Sequence, residues 1–198
     1  MKWINEIRKK YEGDRFFKEV FDDHIYQAAY DLGKVDTVLD VGALAGEFSF
    51  YIYAHAKRIY ALEPQPAQFL ELINNIEDHN LKKIEPFCLG LSDENGMTNL
   101  RIQSRGGHSI VKEETGDSIK IETRTLNTFL EENKIESVDI LKIDIESAED
   151  LVFTAPDIDK AMKKIKFICG EHGNLDLIKL HGFEVEHTSG VGWIAKRI

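Results

Sequence analysis

The sequence predicts a doubly wound α/β domain whose mostly parallel sheet ends in a C-terminal antiparallel hairpin. Three observations carry that prediction. The stretch Thr37-Val38-Leu39-Asp40-Val41-Gly42-Ala43-Leu44-Ala45-Gly46-Glu47-Phe48-Ser49 runs from a β-branched, apolar segment through two glycines into an apolar helix. Strand, tight turn and helix start follow in the order that opens a nucleotide pocket in such sheets. Glu63 lies 23 positions after Asp40, at the tip of a second strand-like run, where a carboxylate can accept both hydroxyls of a ribose. Strand-like and helix-like segments then alternate up to a closing pair of strands, 183–187 and 191–196, joined at Ser189-Gly190.

Each element has its own signal. Residues 1–34 read as a helical cap, with Phe16, Phe17, Val20, Phe21, Ile25, Ala28 and Ala29 recurring at three and four positions. The first strand covers 37–41 and its helix 47–57; the second strand covers 58–62. Pro66 suits a first helical turn, and Phe69, Leu70, Ile73 and Ile76 mark the buried face of the helix that follows. A third strand is read over 84–91, ended by the turn signal Asp93-Glu94-Asn95-Gly96. Strand-like pieces at 98–103 and 119–123 flank a polar segment centred on Gly106-Gly107-His108-Ser109, which reads as a loop over a site. A helix over 126–133 leads to a fourth strand, 138–144, and Ser147 with Asp150 reads as a capping-box start for a helix over 148–153. A fifth strand, 165–169, and a short helix, 175–181, precede the hairpin. The expectation is one domain over 1–198, with 35–198 as its α/β core.

Composition narrows the function classes. A formal net charge of -10 and a pI near 5.2 argue against nucleic acid as the main partner, since a phosphate backbone needs a sustained basic stripe. The basic pairs Lys9-Lys10, Lys82-Lys83 and Lys163-Lys164 are scattered among acids. Cys88 and Cys169 fall inside strand-like runs and read as reduced core thiols. The N-terminal residues carry charge throughout with no apolar stretch of signal-peptide type, and no run reaches membrane-spanning length. A cytoplasmic protein with no membrane partner is the expectation; oligomeric state is left unassigned.

The loop spacing is D-x-G-x-x-x-G rather than G-x-G-x-x-G. A dinucleotide pyrophosphate wants converging N–H groups, and an acidic residue in the loop repels it. The same residue pairs with an ammonium group, so the loop suits a nucleoside bearing an amino-acid tail. Gly42 would permit the turn, and Gly46 a close approach of backbone to ligand. Acidic residues stand at the ends of the central strands as Asp40, Glu63, Asp144 and Glu171, where an open α/β sheet binds its ligand.

Val38-Leu39-Asp40-Val41-Gly42-Ala43 with Gly46, then Glu63-Pro64, then Leu141-Lys142-Ile143-Asp144-Ile145-Glu146 with Ala148-Glu149 together resemble the class I S-adenosylmethionine-dependent methyltransferases, and specifically the FkbM family of O-methyltransferases. The resemblance implies a Rossmann-like sheet in its methyltransferase variant, S-adenosyl-L-methionine as cofactor, and a small-molecule or sugar hydroxyl as acceptor. It implies cofactor contacts from Asp40, Gly42, Ala43, Gly46, Glu63, Pro64, Gly90, Leu91, Ser92 and Asp144, with adenine beside Leu89, Gly90 and Leu91 and its amino edge near Ser92 or Asp93. Lys142, Asp144 and Glu146 share one side of their strand, so Lys142 and Asp144 can pair, either at the site or as a structural ion pair under a loop. Asp144, Glu171 and His172 are the expected catalytic groups, His172 as general base, and His108 is a further substrate contact or base. His24, His55, His79, His181 and His187 read as bystanders. Asp144, Glu146, Glu171 and His172 offer donors for a divalent ion, but no metal is assigned.

This sequence departs from the family pattern at Leu44, where Asn is usual, at Ser147, where Gly is usual, and at Glu171-His172, which lacks the residue between Glu and His. Leu44 and Ser147 motivate a rival reading, a cofactor-binding protein without turnover. A nicotinamide-dependent oxidoreductase is a further rival, which the loop spacing disfavours.

Overall fold

The computed structural model describes residues 2–102, 109–111, 117–188 and 192–198. Its centre is a seven-stranded sheet of β1 (Val35–Val41), β2 (Ala56–Leu62), β3 (Ile84–Phe87), β8 (Val138–Ile143), β9 (Ile165–Gly170), β10 (Phe183–His187) and β11 (Trp193–Arg197). The spatial order is β10-β11-β9-β8-β1-β2-β3. Every pairing is parallel except those of β11, which runs antiparallel to both β9 and β10. The strand order reverses at β1, which lies between β2 and β8, with Asp40 opposite both Ala61 and Lys142. A crevice opens at such a reversal, beyond the carboxyl ends of the strands.

The central strands are apolar on both faces because helices cover both. Leu39, Val41, Leu62, Leu141 and Ile143 pack with Phe129 of α6 (Leu126–Glu132) and with Val152 and Phe153 of α7 (Glu149–Phe153). Val38, Ile59, Ala61 and Ile140 pack with Phe48, Phe50 and Ile52 of α4 (Glu47–Ile52), with Leu72 of α5 (Pro66–Asp78) and with the N-terminal helices. Gln65 caps α5 by accepting the Gln68 N–H, and Pro66 takes the first helical position. The buried face of α5 is centred on Leu72 and Asn75, with Phe69 and Ile76 partly covered; Leu70 is 58% exposed, against the expectation.

The N-terminal segment forms α1 (Lys2–Lys10), α2 (Arg15–Phe21) and α3 (Gln27–Tyr30), separated at Gly13 and His24, both in left-handed backbone. Asp14 caps α2 through the Phe17 N–H. Phe17, Val20, Phe21 and Ala29 are buried as the spacing predicts, and Tyr26 is buried beside them.

The third strand is where the structure differs most from expectation. It stops at Phe87, and the chain leaves the main sheet at Cys88 and Leu89. It resumes as β4 (Gly90–Leu91) in a second, four-stranded sheet with β7 (Ser118–Arg124), β5 (Gly96–Arg101) and β6 (Ser109–Val111), in the order β4-β7-β5-β6. Cys88 is therefore exposed rather than a core thiol, while Cys169 is buried. α4 ends at Ile52, earlier than expected, and β2 begins at Ala56. Two further short helices, α8 (Ile158–Met162) and α9 (Leu175–Lys179), complete the order.

Ser147 does not cap α7. It lies at φ +72° beside Glu146 at φ +54°, and Ala148 occupies the cap position without a side-chain bond. Glu149 instead reaches back to accept the Ile145 N–H at 2.9 Å, and Asp150 accepts the Asn174 N–H at 2.6 Å. These two carboxylates hold the turns after β8 and β9 in place, and the capping-box start expected from Ser147 and Asp150 does not form.

Candidate active site

The loop after β1 folds over the end of β2. Gly42 and Ala43 both donate to the Leu62 carbonyl, at 3.0 and 2.9 Å. Gly42 has φ +79°, and a Cβ there would stand 2.0 Å from the Asp144 carbonyl oxygen, so only glycine fits. Gly46, at φ +108°, is constrained by packing: a Cβ would stand 2.3 Å from the Phe50 ring. It is not among the residues that line the two clefts described below.

Glu63 is buried and holds the loop together, one oxygen accepting the Leu44 N–H at 2.9 Å and the other the Gln65 N–H at 2.8 Å. Burial pushes its pKa up to about 7 despite those two donors. Leu44 lies at φ +47°, a conformation that costs an ordinary L-residue about 1 kcal/mol and that Asn tolerates better. We therefore expect Leu44→Asn to raise stability by roughly 0.5–1 kcal/mol, measured by denaturant unfolding; an unchanged or lower midpoint would show that Leu44 packing outweighs its backbone strain.

Beneath the loop, Asp40 is fully buried and accepts from the Ser49 hydroxyl at 2.6 Å. Lys142 pairs with Asp40 at 3.4 Å and donates to the Gly42 carbonyl at 2.7 Å. The expected Lys142–Asp144 pair is thus replaced by Lys142–Asp40, because residues 40 and 142 are partners across β1 and β8. Burial opposes the charge on Lys142, but Asp40 and Asp144 outweigh it and hold its pKa above the ordinary value. Asp40 lines neither cleft; it anchors the loop from below.

Two adjoining clefts lie above this base. The larger, about 580 Å³ measured out to its open mouth, has Leu62, Glu63, Pro64, Leu89, Gly90 and Leu91 along one side and Asp144, Ile145 and Glu146 along the other. Leu100 of β5 and Ile110 of β6 bring the second sheet to its rim. The smaller, about 320 Å³, lies under the N-terminal helices among Phe16, Glu19, Tyr26, Glu47, Lys142, Asp144 and Glu171, and Ala43 also lines it. Phe16, Gly42, Leu44 and Asp144 are common to both.

The expected residues divide accordingly. Gly42, Ala43, Glu63, Pro64, Gly90, Leu91, Asp144, Glu146 and Glu171 are brought together around the clefts. Ser92 is not. It is buried, continues the second sheet by donating its N–H to the Arg124 carbonyl, and turns its hydroxyl to Asp93. His172 lines neither cleft. Its ring stands 3.9 Å from Glu146 and its carbonyl accepts the Trp193 indole N–H at 2.8 Å. His108 lies outside the described residues. Among the described residues, no cluster of three or more His, Cys, Asp or Glu side chains could hold a metal ion. Phe16, Glu19, Tyr26, Glu47, Leu100 and Ile110 join the cleft lining without having been named as site residues in the sequence. Only the β-α geometry joins such distant segments.

Carboxylates crowd this region, and burial raises their pKa values: Glu47 to about 8, Glu171 to about 7 with Asp144 and Glu19 adding to the effect, and Glu146 and Glu149 in the same direction. A carboxyl whose folded pKa exceeds its unfolded value binds its proton more tightly when folded. Its stabilising contribution is full below the ordinary 4.5 and is lost as pH rises through about 7 to 8. Asp139 and Asp176 shift downward from 3.8 and so titrate below this window. The ligand-free protein should therefore lose at least about 2 kcal/mol of unfolding free energy between pH 5 and pH 8. Denaturant melts across that range check this; stability that rises with pH would contradict it.

The comparisons with known proteins follow the same geometry. A chain from Streptomyces tacrolimicus, "31-O-demethyl-FK506 methyltransferase FkbM", is 24% identical over 88% of this chain and 83% of its own length. The crystal structure of a methyltransferase FkbM from Methylobacillus flagellatus superposes with a TM-score of 0.59 at 14% identity, over 92% of this chain and 48% of that one, so this chain spans about half its length. A Streptococcus mutans protein solved in complex with SAH superposes with a TM-score of 0.51 at 12% identity, over 88% of this chain and 98% of that one. At these identities the superpositions establish the fold. Residues 40–185 match the Methyltransferase FkbM domain, and the chain belongs to that family of methyltransferases.

Proposed function

We propose that the protein transfers the methyl group of S-adenosyl-L-methionine to a hydroxyl oxygen of an uncharged small molecule or sugar. The observation that carries this reading is the pairing of an apolar cleft beside Glu63 with a carboxylate-lined cleft at Asp144. The residues fit the cofactor's parts. Pro64, Leu89, Gly90 and Leu91 form a wall suited to a flat base, and Glu63 keeps lone pairs for ribose hydroxyls after its two backbone bonds. Asp144 and Glu171 supply carboxylates for a ligand carrying sulfonium and ammonium groups. The relative solved with SAH supports this cofactor.

The cofactor supplies an already activated methyl donor, so the chain must orient, exclude water and accept a proton. Asp144, common to both clefts, is placed to orient the acceptor hydroxyl. Glu171, poised near neutrality, is placed to take its proton. His172 stands behind Glu146 and acts on that carboxylate's charge. The net charge of -10 supports a non-nucleic-acid acceptor, and a cytoplasmic setting belongs to the same reading. Among the described residues, no helix is long and apolar enough to cross a membrane.

Incubation with methyl-labelled S-adenosylmethionine and a panel of neutral alcohols and monosaccharides tests the proposal. Label in an ether product supports it. Cofactor binding without transfer across the panel would favour the binding-protein reading that Leu44 and Ser147 suggest.

A further inference from the structure

The geometry points to Tyr26 as a positioning residue that holds the Asp144 carboxylate by one oxygen and leaves the other directed at the ligand. Tyr26 is only 4% exposed, and its hydroxyl donates to Asp144 Oδ2 at 3.0 Å, across 118 residues of chain. Among the described residues this is the one side-chain hydrogen bond Asp144 makes. The ring has little freedom to choose another partner. It packs edge-on against Phe48 at 5.0 Å, and its backbone carbonyl accepts the N–H groups of Ala29 and Tyr30 at the start of α3.

A phenylalanine would fill the same space. What the hydroxyl adds is a buried donor that must be satisfied, and it is satisfied by a side chain in the loop after β8 rather than by backbone. In that loop Glu146 and Ser147 both lie in left-handed backbone. Tyr26 lies outside the matched family region, residues 40–185, so the N-terminal helices contribute to the site and do not merely cover it.

The catalytic meaning of this contact rests on the proposed methyl transfer, but its test does not. The side-chain carboxyl carbon of Asp144 is followed by carbon-13 NMR at one fixed pH in ligand-free wild type and in Tyr26→Phe. The charged groups around Asp144, namely Lys142 from the sheet, Glu146 from its own loop, Glu149 from the start of α7 and Glu171 after β9, stay in place in the variant. Loss of the donor should shift the Asp144 carboxyl resonance; an unchanged resonance in a folded variant overturns the assignment. Should Tyr26→Phe fail to fold, 3,5-difluorotyrosine at position 26 replaces it. This stronger donor should shift the resonance in the opposite direction, and no change again overturns the assignment. A wild-type protein that shows the coupling but transfers no methyl group would refute the proposed function alone.

Discussion

Replacing Gly42 with alanine is expected to abolish cofactor binding and to destabilise the fold by about 3 kcal/mol or more. Two effects act at one position. The residue sits at φ +79°, and the added Cβ would stand 2.0 Å from the Asp144 carbonyl oxygen and 3.2 Å from the Ile145 side chain. The first neighbour is backbone, so no rotamer change relieves it. Either the loop after β1 lifts or the loop after β8 retreats, and both line the larger cleft. Lifting the first also disturbs the Gly42 carbonyl that receives the Lys142 ammonium at 2.7 Å. Denaturant unfolding and calorimetric titration with S-adenosylhomocysteine measure the two consequences. A stable Gly42→Ala variant with wild-type affinity would show that the loops are not in the contact described here.

The second large effect is expected at Glu63. Glu63→Ala should weaken S-adenosylhomocysteine binding by about 100-fold, since charge-assisted hydrogen bonds contribute roughly 1.5–3 kcal/mol each. It should also destabilise the free protein by about 1–3 kcal/mol, because the Leu44 and Gln65 N–H groups lose their acceptor. The pH dependence separates the two roles. Glu63 has its pKa pushed up to about 7, so its strongest acceptor form is lost on the acid side. Affinity should rise between pH 6 and pH 8, opposite in sign to the fall in stability of the free protein over that range. Affinity that is flat with pH, or unaffected by Glu63→Ala, would move the ribose contact elsewhere.

Legibility followed sequence distance. Gly42, Glu63 and Asp144 could be placed because each stands at a strand end, and the fold rule sends strand ends to one crevice. The roles within that set were harder to read. Period-two alternation set Lys142 and Asp144 on one side of a strand, but it could not reveal that Asp40 lies across the sheet from Lys142. Gly46 read as a ligand-facing glycine, and its constraint is the Phe50 ring one turn ahead. The continuous apolar look of residues 84–91 hid the break at Cys88, since local pattern does not say which sheet a strand joins. Tyr26 carried no motif at all. Its meaning comes from a contact with Asp144 that exists only after folding.

The most direct measurement is calorimetric titration of ligand-stripped protein with S-adenosylmethionine, S-adenosylhomocysteine and NAD. Micromolar binding of the first two and none of the third is expected. Binding of NAD, or of no compound in the set, would contradict it.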